Sequence, residues 1–141
     1  MTDPVITIPE YARIGVNLAS PRLGSRAVLA SDEFFAAKER MLQDTEPVFI
    51  ADKYDDNGKW MDGWESRRRR DGGNDWVEFA LAAGGVPRHV EVDTTWFVGN
   101  APGWVSISTR DERTGGSWTV LRDRERVQPD TRHRFLLPGA A

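Results

Sequence analysis

The chain has 141 residues, a net charge of −3, and 39% hydrophobic against 29% charged residues, the profile of one globular domain and not of a disordered chain. No apolar run nears the ~20 residues that span a bilayer, the start "MTDPVITIPE" lacks the basic and apolar regions of a secretory signal, and there is no cysteine. These features exclude a disulfide scaffold, a thiolate metal site and a cysteine nucleophile; the acidic balance argues against a general nucleic-acid binder, and a cysteine-free chain fits a reducing, cytoplasmic setting.

Residues 1–16 carry no periodic pattern and read as an N-terminal arm, leaving 17–141 as the domain. "SDEFFAAKERML" predicts one short helix: Ser31 is placed to cap it, Asp32 and Glu33 suit its first turn, and Phe34, Phe35, Lys38, Met41 and Leu42 form a mixed face. Pro47 blocks any continuation. Beyond it the period shifts to two. "WVEFAL" sets Val77, Phe79 and Leu81 against Trp76, Glu78 and Ala80. "HVEVDTTWF" sets Val90 and Val92 against Glu91 and Asp93, and "WVSISTRD" sets Val105 and Ile107 against Ser106 and Ser108. "SWTVLRD" and "RHRFLL" are weaker strands. The turn signals "AAGGVP", "GNAPG" and "RTGGS" separate them. Short strands at this spacing predict an all-β antiparallel sandwich. Arg122 to Arg134, where acids alternate with arginines, reads as a solvated surface.

"GKWMDGWESRRRRDGGNDW", Gly58 to Trp76, fits none of these patterns. Read as a strand it has no apolar face, and burying its charges unpaired would cost several kcal/mol each. Read as a helix it is interrupted by Gly58 and Gly63 and shows no stripe. It is therefore expected to be partly a loop or a sandwich rim, its tryptophans anchoring it and its charges facing a cleft. Taken singly, each of these residues suits a structural role. Taken together, Asp62, Glu65, Arg67, Asp75 and Trp76 resemble a site that supplies a cation, carboxylates and an apolar wall to one small molecule.

The strings "NLAS", "SDEFF", "PVF", "GKWMDGWESRRRR", "NDW" and "VDTTWFVGN", in this order from Asn17 to Ser108, resemble the allantoicase family. A weaker echo follows in "WTVL" and "QPDTRHRF". The resemblance implies a jelly-roll β-sandwich of the galactose-binding type, present as two tandem copies, and hydrolysis of allantoate to ureidoglycolate and urea in purine degradation. It also implies that residues 17–141 lack the last strand of the first copy and the whole second one. A homo-oligomer or a partner chain supplying the second repeat is then expected. Asn74 stands in "GNDW" where the family often has histidine, which puts one imidazole of the family pattern out of reach.

Allantoate is a carbon bearing one carboxylate and two ureido groups. A guanidinium from Arg67 or Arg68 suits the carboxylate. Asp62, Glu65, Asp75 and Asn100 can meet the ureido groups, with Trp60 and Trp76 as apolar walls. Releasing urea needs a proton donor and a base, roles expected of two among Asp62, Glu65 and Asp93. No cofactor is called for. His89 and His133 lie apart without ligand spacing and are expected to be lone surface histidines, while a hard divalent ion held by carboxylates is compatible with the composition. The alternative is a non-catalytic jelly-roll ligand-binding module, with Trp60, Trp64, Trp96 and Trp104 as a sugar platform, or an inactive fragment of an allantoicase. A nucleic-acid role for "SRRRRDGG" ranks last, because Asp62, Glu65, Asp71 and Asp75 oppose it.

Overall fold

A computed structural model describes residues 15–137; most of the expected N-terminal arm lies outside the described residues. Among the described residues eight strands follow one another: β1 (Arg26–Ala30), β2 (Tyr54–Asp55), β3 (Gly58–Lys59), β4 (Val77–Ala80), β5 (His89–Asp93), β6 (Trp104–Thr109), β7 (Thr119–Arg126) and β8 (Arg132–Leu136). They pair antiparallel as β1–β4, β2–β3, β5–β8 and β6–β7. The five strands expected after residue 75 all form. In β5 and β6 the alternation also holds, with Val90, Val92, Val105 and Ile107 turned inward relative to Glu91, Asp93, Ser106 and Ser108. Leu81 departs from this pattern and lies exposed just beyond β4.

The short helix is where it was expected but begins later and is tighter. It is a 3-10 turn, Lys38–Leu42, with Ala37 at its N-cap, and Ser31 does not cap it. Other partners take the backbone donors of an α-helix's first turn. Asp32 Oδ1 accepts the Phe34 N–H at 2.9 Å and Glu33 Oε1 accepts the Lys38 N–H at 2.9 Å. The N–H groups of Phe35 and Ala36 both go to the Glu65 carbonyl, and Ala36 forms an antiparallel bridge with Glu65. Side-chain acceptors and a distant backbone outcompete the local helix.

This bridge ties the 58–76 stretch to the sandwich, and hydrophobic burial continues the attachment. Met61 and Ala36 belong to the buried set with Ala27, Phe97, Val127 and Leu137. Trp64 donates its indole N–H to the Asp32 carbonyl at 2.8 Å. Gly63 is a close approach: a Cβ there would stand 3.0 Å from the Phe97 ring. At the far end of the stretch, Ser31 and Trp76 close the β1–β4 ladder. The Ser31 N–H reaches the Trp76 carbonyl and the Trp76 N–H reaches the Ser31 hydroxyl, both at 2.9 Å. The segment between these two anchors emerges at the end of the β1–β4 pair.

Candidate functional site

A groove of about 650 Å³ opens there, lined by Ser31, Asp32, the four arginines 67–70, Asp71 and Asp75. Its arginines are not equivalent. Arg67 gives its backbone N–H to Asp32 Oδ1 at 3.0 Å and its Nε to Asp32 Oδ2 at 2.8 Å. Its guanidinium also lies over the Phe34 ring, 5.2 Å from the centroid. Arg69 gives Nε to Asp71 Oδ1 at 2.8 Å, and its Nη1 reaches the Asn74 carbonyl at 3.1 Å and Asp75 Oδ1 at 3.4 Å. Arg68 and Arg70 make no hydrogen bond, ion pair or ring contact among the described residues.

The carboxylates holding this set are themselves well supplied with donors. The Phe34 and Arg67 backbone N–H groups, with the Arg67 guanidinium, keep the Asp32 pKa below the ordinary aspartate value. Arg69 first, then the Gly73 N–H, lowers that of Asp71. Asp75 accepts from the Ser31 hydroxyl at 2.9 Å and from the Ser66 hydroxyl at 3.1 Å. The glycines after the arginines have distinct uses. Gly72 turns the chain at φ 77°, where a side chain is strained. Gly73 leaves room for Arg69, whose Nε would lie 2.6 Å from a Cβ.

Of the residues expected to form the site, Arg67, Arg68 and Asp75 line this groove. Glu65 and Asn100 meet each other, Asn100 Nδ2 donating to Glu65 Oε1 at 3.0 Å; neither lines the groove, although Glu65 directly precedes Ser66. Asp62 uses both oxygens on the loop before β2, accepting from Gln43 at 3.1 Å and from the Val48 N–H at 3.0 Å. Asp93 accepts the Thr95 N–H at 2.8 Å and lies 3.5 Å from Arg132 Nε. Trp60 is faced by Lys53 at 4.1 Å and Arg40 at 5.4 Å. Trp76 is exposed and borders a smaller hollow with Ser106, Ser108 and Trp118.

The four tryptophans of the expected sugar platform each have separate company. Trp96 stacks on Phe49, Trp104 has the guanidinium carbons of Arg124 and Arg126 each 5.3 Å from its ring centroid, and Trp64 is tied to Asp32. His133 is not a lone surface residue. Its Nε2 accepts the Gln128 N–H at 2.8 Å and its Nδ1 lies 3.0 Å from the Val92 carbonyl oxygen, so both ring nitrogens serve the β5–β8 end. His89 is half-buried at the start of β5 and has a partner as well. Among the described residues, no three His, Asp or Glu side chains gather as a metal site would need.

Ser31, Asp32, Arg69, Arg70 and Asp71 complete the groove and were not singled out as site residues from sequence. For the first two a signal existed: "SDEFF" belongs to the strings that carry the family resemblance, and the helix reading absorbed it. The arginine run gave no means of ranking its members.

Comparison with known proteins matches the chain to one family. The model for the allantoicase repeat matches residues 16–140. A probable allantoicase of Acinetobacter baumannii strain SDF is 38% identical over 98% of this chain and 42% of its own length. A probable allantoicase 1 of Burkholderia mallei is 46% identical over 94% of this chain and 40% of its own. A solved allantoicase structure superposes with a TM-score of 0.70 at 31% identity, covering 86% of this chain and 38% of its own. The allantoicase of Saccharomyces cerevisiae gives 0.67 at 30% identity, covering 87% and 39%. The fold is thus all-β and jelly-roll-like. The chain spans about 40% of the length of the relatives it matches. It belongs to the allantoicase family.

Proposed function

We propose that this domain binds allantoate in the arginine groove and takes part in its hydrolysis to ureidoglycolate and urea. Guanidinium groups suit the substrate carboxylate because their planar fork donates two parallel charge-assisted hydrogen bonds. One ureido group finds an acceptor in Asp75, and we assign the other, departing one to the Glu65–Asn100 pair, which follows on from the groove through Ser66 and its bond to Asp75. In the reaction, water oxygen bonds to the central carbon and the bond from that carbon to one ureido nitrogen breaks. A proton goes to the departing nitrogen and urea leaves. We assign the acid–base role to Glu65, aligned by Asn100. Asp62 and Asp93, the other two candidates, are assigned to holding the loops they bond. The observation that carries the reading is the pairing pattern of the groove: carboxylates fix some arginines and leave others open to an anion.

A cytoplasmic setting suits the cysteine-free composition, and no helix among the described residues is long and apolar enough to cross a membrane. A second repeat, from a further copy or a partner chain, is part of the proposed working enzyme. Incubating the purified protein with allantoate and measuring urea and ureidoglycolate tests the reading. Equimolar release supports it. A folded protein that, with the second repeat supplied, binds allantoate without releasing either product is a ligand-binding module, and the hydrolytic assignment then fails.

A further inference from the structure

The sequence offers Arg67 and Arg68 as ligands for the substrate carboxylate, but the groove divides its four arginines differently. Arg67 has committed its backbone and Nε to both oxygens of Asp32. Arg69 is shared between Asp71, Asp75 and the Asn74 carbonyl. The two arginines that line the groove without a hydrogen-bond, ion-pair or ring partner among the described residues are Arg68 and Arg70.

We infer that Arg68 and Arg70 form a two-guanidinium clamp for the single carboxylate of a small ureido acid, with Arg67 and Arg69 holding the clamp's frame. The inference rests on the groove being the substrate site. Charge supports the stoichiometry. Four guanidiniums against three carboxylates, Asp32, Asp71 and Asp75, leave one surplus positive charge, which one carboxylate neutralises. Donor capacity supports it too: a carboxylate accepts about four hydrogen bonds, and one fork supplies about two of them. A second fork completes the set. The remaining part of such a ligand is neutral, so the clamp distinguishes an acid from its amide.

The test compares N-carbamoylglycine, which carries one carboxylate and one ureido group, with its primary amide. Both are titrated calorimetrically into the wild-type protein, Arg68→Gln, Arg70→Gln and, as a distant control, Arg113→Gln. The wild-type protein is expected to prefer the acid by about tenfold or more, the range of a charged hydrogen bond. Arg68→Gln and Arg70→Gln each reduce that preference several-fold, Arg113→Gln leaves it intact, and added salt weakens it. Circular dichroism checks that each variant is folded. An unchanged preference in Arg70→Gln, or none in the wild-type protein, overturns the clamp. Urea release from allantoate is scored separately. If it is absent while the acid preference follows the two arginines, hydrolysis fails and the clamp stands.

Discussion

Asp32 holds Arg67 at two points, its Oδ1 accepting the backbone N–H at 3.0 Å and its Oδ2 accepting Nε at 2.8 Å. One carboxylate thereby fixes both the path of the chain and the direction of a side chain at the mouth of the groove. It also accepts the Phe34 N–H, so the segment leading away from β1 and the arginine run are bound to the same two oxygens. The contact is electrostatic, yet its main effect is geometric. It sets where the chain continues from Arg67 into Arg68, Arg69 and Arg70.

Asp32→Asn tests this through pH. The Asp32 pKa is depressed in the folded protein, chiefly by the Phe34 and Arg67 backbone donors. A depressed carboxylate stabilises the fold above its unfolded-state value of about 3.9, and that contribution disappears as pH falls through the lower folded value. The wild-type melting temperature should therefore decline on acidification below about pH 4. Asp71 and Asp111 shift in the same direction, so Asp32→Asn should reduce this decline without abolishing it. Thermal unfolding at a series of pH values measures the slopes, and equal slopes in the two proteins contradict the role given to Asp32.

Gly63→Ala tests how the opening stretch is seated. The added methyl would stand 3.0 Å from two atoms of the Phe97 ring, and Phe97 is buried. Overpacking of this kind costs about 1–3 kcal/mol. Gly99→Ala is the matched control, since nothing lies within 4 Å of a Cβ there. Urea denaturation should show a lower midpoint for the first variant and little change for the second. The reverse order would mean that Gly63 does not seat the stretch on Phe97.

Much of the sandwich is legible because burial imposes a two-residue period, as in β5 and β6. Strand β1 escapes for a related reason. Its buried residue is the small Ala27, while Leu29 is exposed at 55%, so apolar size and burial run in opposite directions. Strands β2 and β3 have two residues each, too few to show a period. The helix start at Ser31 fails because its capping signals are local and its competitors, Glu65, Asp75 and Trp76, arrive from far along the chain. The arginine run is opaque for the same reason. Arg67 differs from Arg68 through Asp32, 35 positions away, and no local pattern carries that information.

Thr94→Val tests what fastens the turn between β7 and β8. Thr94 is buried, and its hydroxyl donates to the Gln128 carbonyl at 2.6 Å and accepts the Thr131 N–H at 3.0 Å. The turn it fastens carries Asp130, whose Oδ1 accepts the Trp96 N–H at 2.8 Å while Trp96 holds a φ of 72°. Valine keeps the shape and takes the hydroxyl away from the part-buried Thr131 N–H and the Gln128 carbonyl, at a cost of about 1 kcal/mol per lost hydrogen bond. The urea midpoint should fall and the Thr131 amide should exchange faster with solvent. Unchanged exchange at Thr131 would show that the hydroxyl is not what holds this turn.

Asn100→Ala tests the chemistry assigned to Glu65. The amide of Asn100 donates to Glu65 Oε1 at 3.0 Å, joining the "VGN" end of one string to the "GWES" part of another. If Glu65 handles the proton in urea release, the bond aligns a reacting group, and its loss acts on the transition state more than on the bound substrate. A hydrogen bond to a charged group is worth about 1.5–3 kcal/mol, so kcat should fall about tenfold or more while KM changes little. Asn100→Gln, which keeps the amide on a longer arm, should recover part of the rate. A structural role alone would lower stability in both variants and leave kcat of the folded fraction intact. A rise in KM at constant kcat would make Asn100 a ground-state binding residue and remove the support for Glu65 as the acid or base.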